Sequence, residues 1–230
     1  MASGRPGQQS FWPPWGRRAR DLAKQPGDPG VLMAWVRQSH PRLLDAVRAD
    51  VVAARRFRGE PTLELGSTLA VAREAVRLAA VSDTFAGQCF YRMKAAAQRR
   101  GVPVLPHVLH RLAIVTGQVC IGDPVHVEPG LYLPHGQVVI DGITTIGAGV
   151  VLYPFTTLGL KAGNPHGPTL KDGAQVGTGA KVIGPVTIGE RAMVGANAVV
   201  VDDVAPGETV VGAPARPVRS GQDRPRDASA

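Results

Sequence analysis

The chain has 230 residues, 44% of them apolar and 19% charged, with a formal net charge of +8. That length allows one large domain or two small ones with a real core, and the composition excludes a wholly disordered chain. A basic balance favours acidic partners. Here, however, Arg5, Arg17, Arg18, Arg20 and Lys24 gather in a Gly- and Pro-rich stretch that reads as a solvated arm, and no basic run interleaved with aromatics follows, so no nucleic-acid partner is expected. The two cysteines, Cys89 and Cys120, cannot make a disulfide framework and suit a reducing cytosol, so a cytoplasmic location is expected. Met1 to Ser10 is polar and does not read as a signal peptide. No apolar run approaches the ~20 residues of a membrane span, so no membrane partner is expected either.

Residues 1–28 read as an irregular arm holding the apolar patch Phe11-Trp12-Pro13-Pro14-Trp15. Residues 29–117 read as a helical domain. Val31, Leu32, Trp35 and Val36 keep helical spacing, Pro41 interrupts it, and Leu43, Leu44, Val47, Val51 and Ala54 resume it. Ser67 is placed to cap a further helix with Leu69, Ala72, Val76 and Ala79 on its apolar face. Asp83 or Thr84 is placed to cap the next, whose stripe is Phe85, Cys89, Met93 and Ala96; Arg99 and Arg100 suit its last turn and Gly101 its stop. That stripe reads as core rather than as a cofactor site. A short helix over 107–116 ends at Gly117, with His107 and His110 on its surface.

From 118 to 218 helical periodicity vanishes and a period of six appears. Aliphatics fall at Ile121, Val127 and Leu133, then after a slip of one at Ile140, Ile146, Leu152 and Leu158. They resume at Leu170, Val176, Val182, Ile188, Val194 and Val200, often followed by Gly, with Ala174, Ala180, Ala192 and Ala198 two residues ahead of the next aliphatic. A short strand and a tight turn every six residues close a triangular coil from three hexads, and equivalent aliphatics stack at about 4.8 Å. The expected fold class is α+β: an α-helical domain followed by a left-handed parallel β-helix of about four coils, an exception to right-handed crossover. Residues 219–230 read as a disordered tail.

A repeat of this kind specifies a fold, not a chemistry. Function is sought where the pattern breaks. One break is Leu133-Pro134-His135-Gly136-Gln137, which puts an imidazole into an otherwise inert coil. The other is the excursion from Leu158 to Leu170, which carries Lys161, Asn164 and His166 and is expected to leave the prism and cross a neighbouring face. From spacing alone, His135 is as readily a surface residue as a catalytic one.

Over residues 45–218 the chain resembles the serine O-acetyltransferases, hexapeptide-repeat acyltransferases that use acetyl-CoA, as a divergent member. Three segments carry the resemblance: Leu133-Pro134-His135-Gly136 with Val138-Val139-Ile140, then Thr156-Thr157-Leu158-Gly159, then Val210-Val211-Gly212-Ala213-Pro214-Ala215-Arg216. The resemblance implies that His135 is the general base, a role suited to a group that titrates near neutrality. It implies acetyl-CoA as acyl donor and no metal, with Gly159, Ala180, Lys181 and Arg216 on the cofactor side and His166 and Tyr153 on the acceptor side. It also implies a homotrimer or dimer of trimers, with active sites between β-helices.

The sequence departs from that pattern in the acceptor half. The family's orienting carboxylate lies fifteen residues before the base, where this chain has Cys120, so Asp123 is the candidate for that task. Pro134 replaces the aspartate before the base, and Tyr153-Pro154-Phe155 replaces the polar start of the second strand. The end Ala228-Ser229-Ala230 lacks the isoleucine with which family members plug cysteine synthase, which argues against that partner. The expected activity is therefore acetyl transfer to L-serine or a similar small hydroxy amino acid, a step of cysteine biosynthesis. The alternatives are an acyltransferase acting on an amine or a sugar and, third, a non-catalytic trimeric scaffold.

Overall fold

The structure, a computed structural model, describes residues 29–61 and 65–218. The basic arm, its Phe11–Trp15 patch and the C-terminal tail lie outside the described residues.

Five helices come first: α1 (Pro29–Ser39), α2 (Leu43–Phe57), α3 (Thr68–Val81), α4 (Phe85–Arg99) and α5 (Leu105–Gly117). The break at Pro41 divides α1 from α2 as the sequence predicts. Asp45 in the first turn of α2 and Arg55 and Arg56 in its last suit the helix dipole. Ser67 caps α3 by accepting from the Ala70 N–H at 3.1 Å. α5 begins two residues earlier than expected, with Pro106 in its first turn.

The inward face of α3 is not the expected one. Val71, Glu74 and Leu78 are buried, while Leu69 and Val76 are 79% and 72% exposed. The stripe with the acidic residue wins because Glu74 is paired there: Arg55 donates to it at 2.5 Å and Arg77 at 2.6 Å. A hydrophobic count cannot see that neutralisation. On α4, Phe85 and Ala96 are buried, Cys89 packs half-buried against the α2–α3 core, and Met93 is left exposed.

The β-helix has five coils. The first holds β1 (Val119–Ile121) and β2 (Val125–Val127); the second β3 (Val138–Ile140), β4 (Ile143–Ile146) and β5 (Val151–Leu152). The third holds β6 (Thr157–Gly159), β7 (His166–Leu170) and β8 (Gln175–Val176); the fourth β9 (Lys181–Ile183), β10 (Thr187–Ile188) and β11 (Met193–Val194). The fifth holds β12 (Val199–Val200) and β13 (Thr209–Val211), and β14 (Arg216–Pro217) turns back antiparallel on β13.

The parallel ladders form three faces: β1-β3-β6-β9-β12, β2-β4-β7-β10, and β5-β8-β11-β13. All thirteen aliphatics of the six-residue period are buried inside the prism, none more than 3% exposed, and Ala174, Ala180, Ala192 and Ala198 are fully enclosed. The fifth coil exceeds the expected four. Its inward residues are Val200, Val204 and Val210, and the step of four between the first two breaks the count.

α4 seals the first coil, beneath which no further coil lies. Lys94 Nζ donates to the Ile121 carbonyl at 2.6 Å, Tyr91 Oη to Val125 at 3.2 Å, and Gln88 Nε2 to Leu131 at 2.8 Å. Arg92 donates to the Val127 and Glu128 carbonyls at 2.7 and 2.8 Å and is itself held by Asp50. The sequence stripe named only the opposite, apolar side of α4. Its polar side is also buried, because every donor there meets a backbone acceptor that would otherwise be unpaired. Among the described residues, no helix is long and apolar enough to cross a membrane.

Candidate active site

His135 sits at the corner where the third face of the first coil passes to the first face of the second. The extra residue of the slip makes this turn wider than its counterparts. It is pinned from below: Gln137 and Val138 N–H groups donate to the Gln118 carbonyl at the end of α5. Gly136 has no room for a side chain, since a Cβ would lie 2.6 Å from the Gly117 oxygen. Thr84 Oγ1 donates to the Leu133 carbonyl at 2.6 Å, fixing the turn from the α4 side.

The His135 side chain is 66% exposed, and its Nδ1 lies 2.9 Å from Asp83 Oδ2. A carboxylate accepts only, so Nδ1 is the donor, and in the neutral ring Nε2 carries the lone pair. Neither Asp83 nor Thr84 caps α4 with its side chain as expected; both face the β-helix.

The structure moves Asp123 away from this task. Asp123 lies at the next corner, between the first and second faces, and pairs with Lys94 Nζ at 3.0 Å. Partial burial pushes its carboxyl up, but the hydrogen bond and charge of Lys94 outweigh this and hold it below its ordinary range. Cys120 is half-buried on β1 with a free thiol and pairs in register with Val139.

Above His135 on the same corner lies Tyr153-Pro154-Phe155, so Tyr153 shares the corner with the base. Thr156 Oγ1 donates to the Tyr153 carbonyl at 2.6 Å. Phe155 is 54% exposed and takes a left-handed backbone angle, φ 63°. Lys181 Nζ donates to the Phe155 carbonyl at 2.6 Å, which puts this expected cofactor residue on the base's corner but already engaged. Ala180 points into the prism and is fully buried; its N–H donates to Gly177 and its carbonyl accepts from Thr157. A cofactor contact at Ala180 would therefore use the backbone of its turn and not its side chain.

The second break is shorter than expected. The chain leaves at Gly159, crosses the corner between the first and second faces over 160–165, and is a strand again from His166. It packs tightly: a Cβ on Gly142 would meet Leu160 Cδ2 at 2.0 Å, and Ile143 N–H donates to the Pro165 carbonyl. His166 is half-buried, paired with Ile143, and its N–H donates to Asn164 Oδ1 at 2.9 Å. Within one chain, then, His166 and Gly159 lie on a different corner from His135 and Tyr153. Arg216 Nη1 meets Asp202 Oδ2 at 3.2 Å on the surface of the last coil. Among the described residues, no three His, Cys, Asp or Glu side chains are grouped to hold a metal.

A hexad-built prism with an imidazole at a corner widened by one residue defines a hexapeptide acyltransferase, and residues 167–202 match the family "Bacterial transferase hexapeptide (six repeats)". The serine acetyltransferase of Helicobacter pylori strain J99 is 37% identical over 132 residues, covering 56% of this chain and 77% of that protein. The Neisseria gonorrhoeae serine acetyltransferase, solved in complex with serine, superposes with a TM-score of 0.62 at 25% identity over 86% of this chain and 81% of that one. A serine acetyltransferase solved in complex with CoA shares the fold, with a TM-score of 0.64, 22% identity, and coverage of 89% and 83%. The chain belongs to the serine acetyltransferase family.

Proposed function

We propose that the protein transfers the acetyl group of acetyl-CoA to the hydroxyl of L-serine or a similar small hydroxy amino acid. His135 acts as general base. Its Nε2 takes the hydroxyl proton as the oxygen attacks the thioester carbonyl, and the tetrahedral intermediate collapses with cleavage of the carbon–sulfur bond. The imidazolium then returns that proton to the departing CoA thiolate, so the base is regenerated each turnover. The observation that carries this reading is His135 itself, an imidazole at a corner widened by one residue in a ladder of aliphatics, with a carboxylate 2.9 Å from its Nδ1.

The two half-sites lie on different corners of one prism, which supports a trimer in which one chain's His135 corner meets its neighbour's 160–165 loop. Half-buried Lys181 and exposed Arg216 are the cations nearest to hand for CoA phosphates, with Gly159 and the turn before Ala180 lining the approach. No membrane or nucleic-acid partner is proposed, and a cytoplasmic location fits the free thiols. A second reading, transfer to an acceptor other than serine, is favoured by Phe155. An exposed aromatic stands on the base's corner and offers apolar surface to a larger or less polar acceptor.

Free-thiol release from acetyl-CoA tests both readings, with L-serine set against a panel of hydroxy and amino acceptors. Serine-dependent release, lost in His135→Ala, supports the first. Release with another acceptor alone supports the second. Release that survives His135→Ala removes His135 from the base role.

A further inference from the structure

We propose that Asp83 is the positioning residue for His135, so that the carboxylate orienting the base comes from the helical part of the chain. This rests on the reading of His135 as base. The pair meets at 2.9 Å across 52 positions of sequence. Both β-helix alternatives are closed: the position fifteen before the base is Cys120, a thiol with no carboxylate to offer, and Asp123 is committed to Lys94 at the next corner.

The placement of Asp83 is built, not incidental. The next residue, Thr84, is fully buried and donates to Leu133 two residues before the base, and Gln88, one turn on, donates to Leu131. Behind them α4 presses on α5 with glycine against glycine, a Cβ on Gly87 falling 2.9 Å from the Gly117 Cα. Gly117 is also the residue on which Gly136 rests. One rigid contact thus sets the distance between the carboxylate-bearing connection and the imidazole-bearing turn. Because both side chains are largely exposed, solvent screens their attraction, and the main effect of Asp83 is to fix the tautomer and ring direction.

The test has two readouts on the full-length protein. The first needs no acceptor: the ring tautomer of His135 is followed by nitrogen-15 NMR of Nδ1 and Nε2, its signals identified by their loss in His135→Ala. In Asp83→Ala the neutral ring loses its preference for the proton on Nδ1, because the carboxylate that accepts from Nδ1 is gone. The second is kinetic, with acetyl-CoA and the best acceptor of the panel. Asp83→Ala lowers kcat at least tenfold, leaves the KM for acetyl-CoA within twofold and moves the acid limb of kcat/KM to lower pH. Asp83→Asn, whose amide oxygen still accepts from Nδ1, keeps more of kcat than Asp83→Ala, and Asp83→Ala adds no loss on top of His135→Ala. An unchanged His135 tautomer preference in Asp83→Ala overturns the proposal, as does a kcat within twofold of the parent protein. Activity that survives His135→Ala instead removes the base assignment, which the NMR shift does not depend on.

Discussion

Phe155 holds at the third-to-first corner the left-handed angle that Gly179 (φ 74°) and Asn197 (φ 55°) hold one and two coils further on. Glycine and asparagine take that angle cheaply and phenylalanine does not. Strain of this kind amounts to about 1–3 kcal/mol, against which a glycine costs about 0.5–1 kcal/mol in unfolded-chain entropy. Phe155→Gly is therefore expected to raise stability by about 1 kcal/mol in a denaturant titration, while Asn197→Gly changes it by only a few tenths. If Phe155 forms a wall of the acceptor site, the same substitution raises the acceptor KM and leaves the acetyl-CoA KM alone. His135 was legible in the sequence because it interrupts a period that predicts aliphatics and small turn residues. Asp83 was not. Its local setting, just before a helix, reads equally well as a cap, and only the docking of α4 on the first coil turns its side chain toward the imidazole.

At the scale of elements, α4 is the unusual one, since it buries a face made of Gln88, Tyr91, Arg92 and Lys94. Lys94→Met keeps the stem volume but strips the Ile121 carbonyl and Asp123 of their partner. Losing one member of such a buried set costs about 2–4 kcal/mol, readable as a lower denaturation midpoint. α1 adds a pH dependence. His40 at its end is buried and stacked on His126 at 5.9 Å. Burial, with His126, Arg92 and Lys94 close by, pushes its pKa down to about 3. The unfolded chain takes up the proton near pH 6.5 and the folded one does not, so this contribution is whole above pH 6.5. It shrinks as pH falls from there toward 3, by up to about 1.4 kcal/mol per unit. His40→Phe is expected to flatten stability over that window in denaturant titrations at stepped pH. The β-helix was legible because its inward positions obey a strict period. The face of α3 was not, because ion pairing of Glu74, absent from any local pattern, decides it.

For the whole molecule, the separation of the two breaks onto different corners makes a specific forecast about mixtures. With His135 as base and the loop completing the site, chains carrying His135→Ala are expected to be inactive, and so are chains whose 160–165 loop is replaced by two glycines. Co-refolded at equal amounts into trimers with shared sites, one site in four pairs an intact base with an intact loop, so about a quarter of full activity returns. If mixing restores nothing, each chain completes its own site.

The sealing of the first coil by α4 also bears on solubility. A β-prism is a template at both ends, since each terminal coil offers backbone groups to whatever coil lies on it. Here the late end is turned aside by the antiparallel β14 and the early end is occupied by donors from Thr84, Gln88, Tyr91, Arg92 and Lys94. A fragment beginning at residue 118 keeps only the first of these stoppers. It is expected to stack end to end and scatter light as filaments at concentrations where the full chain stays clear.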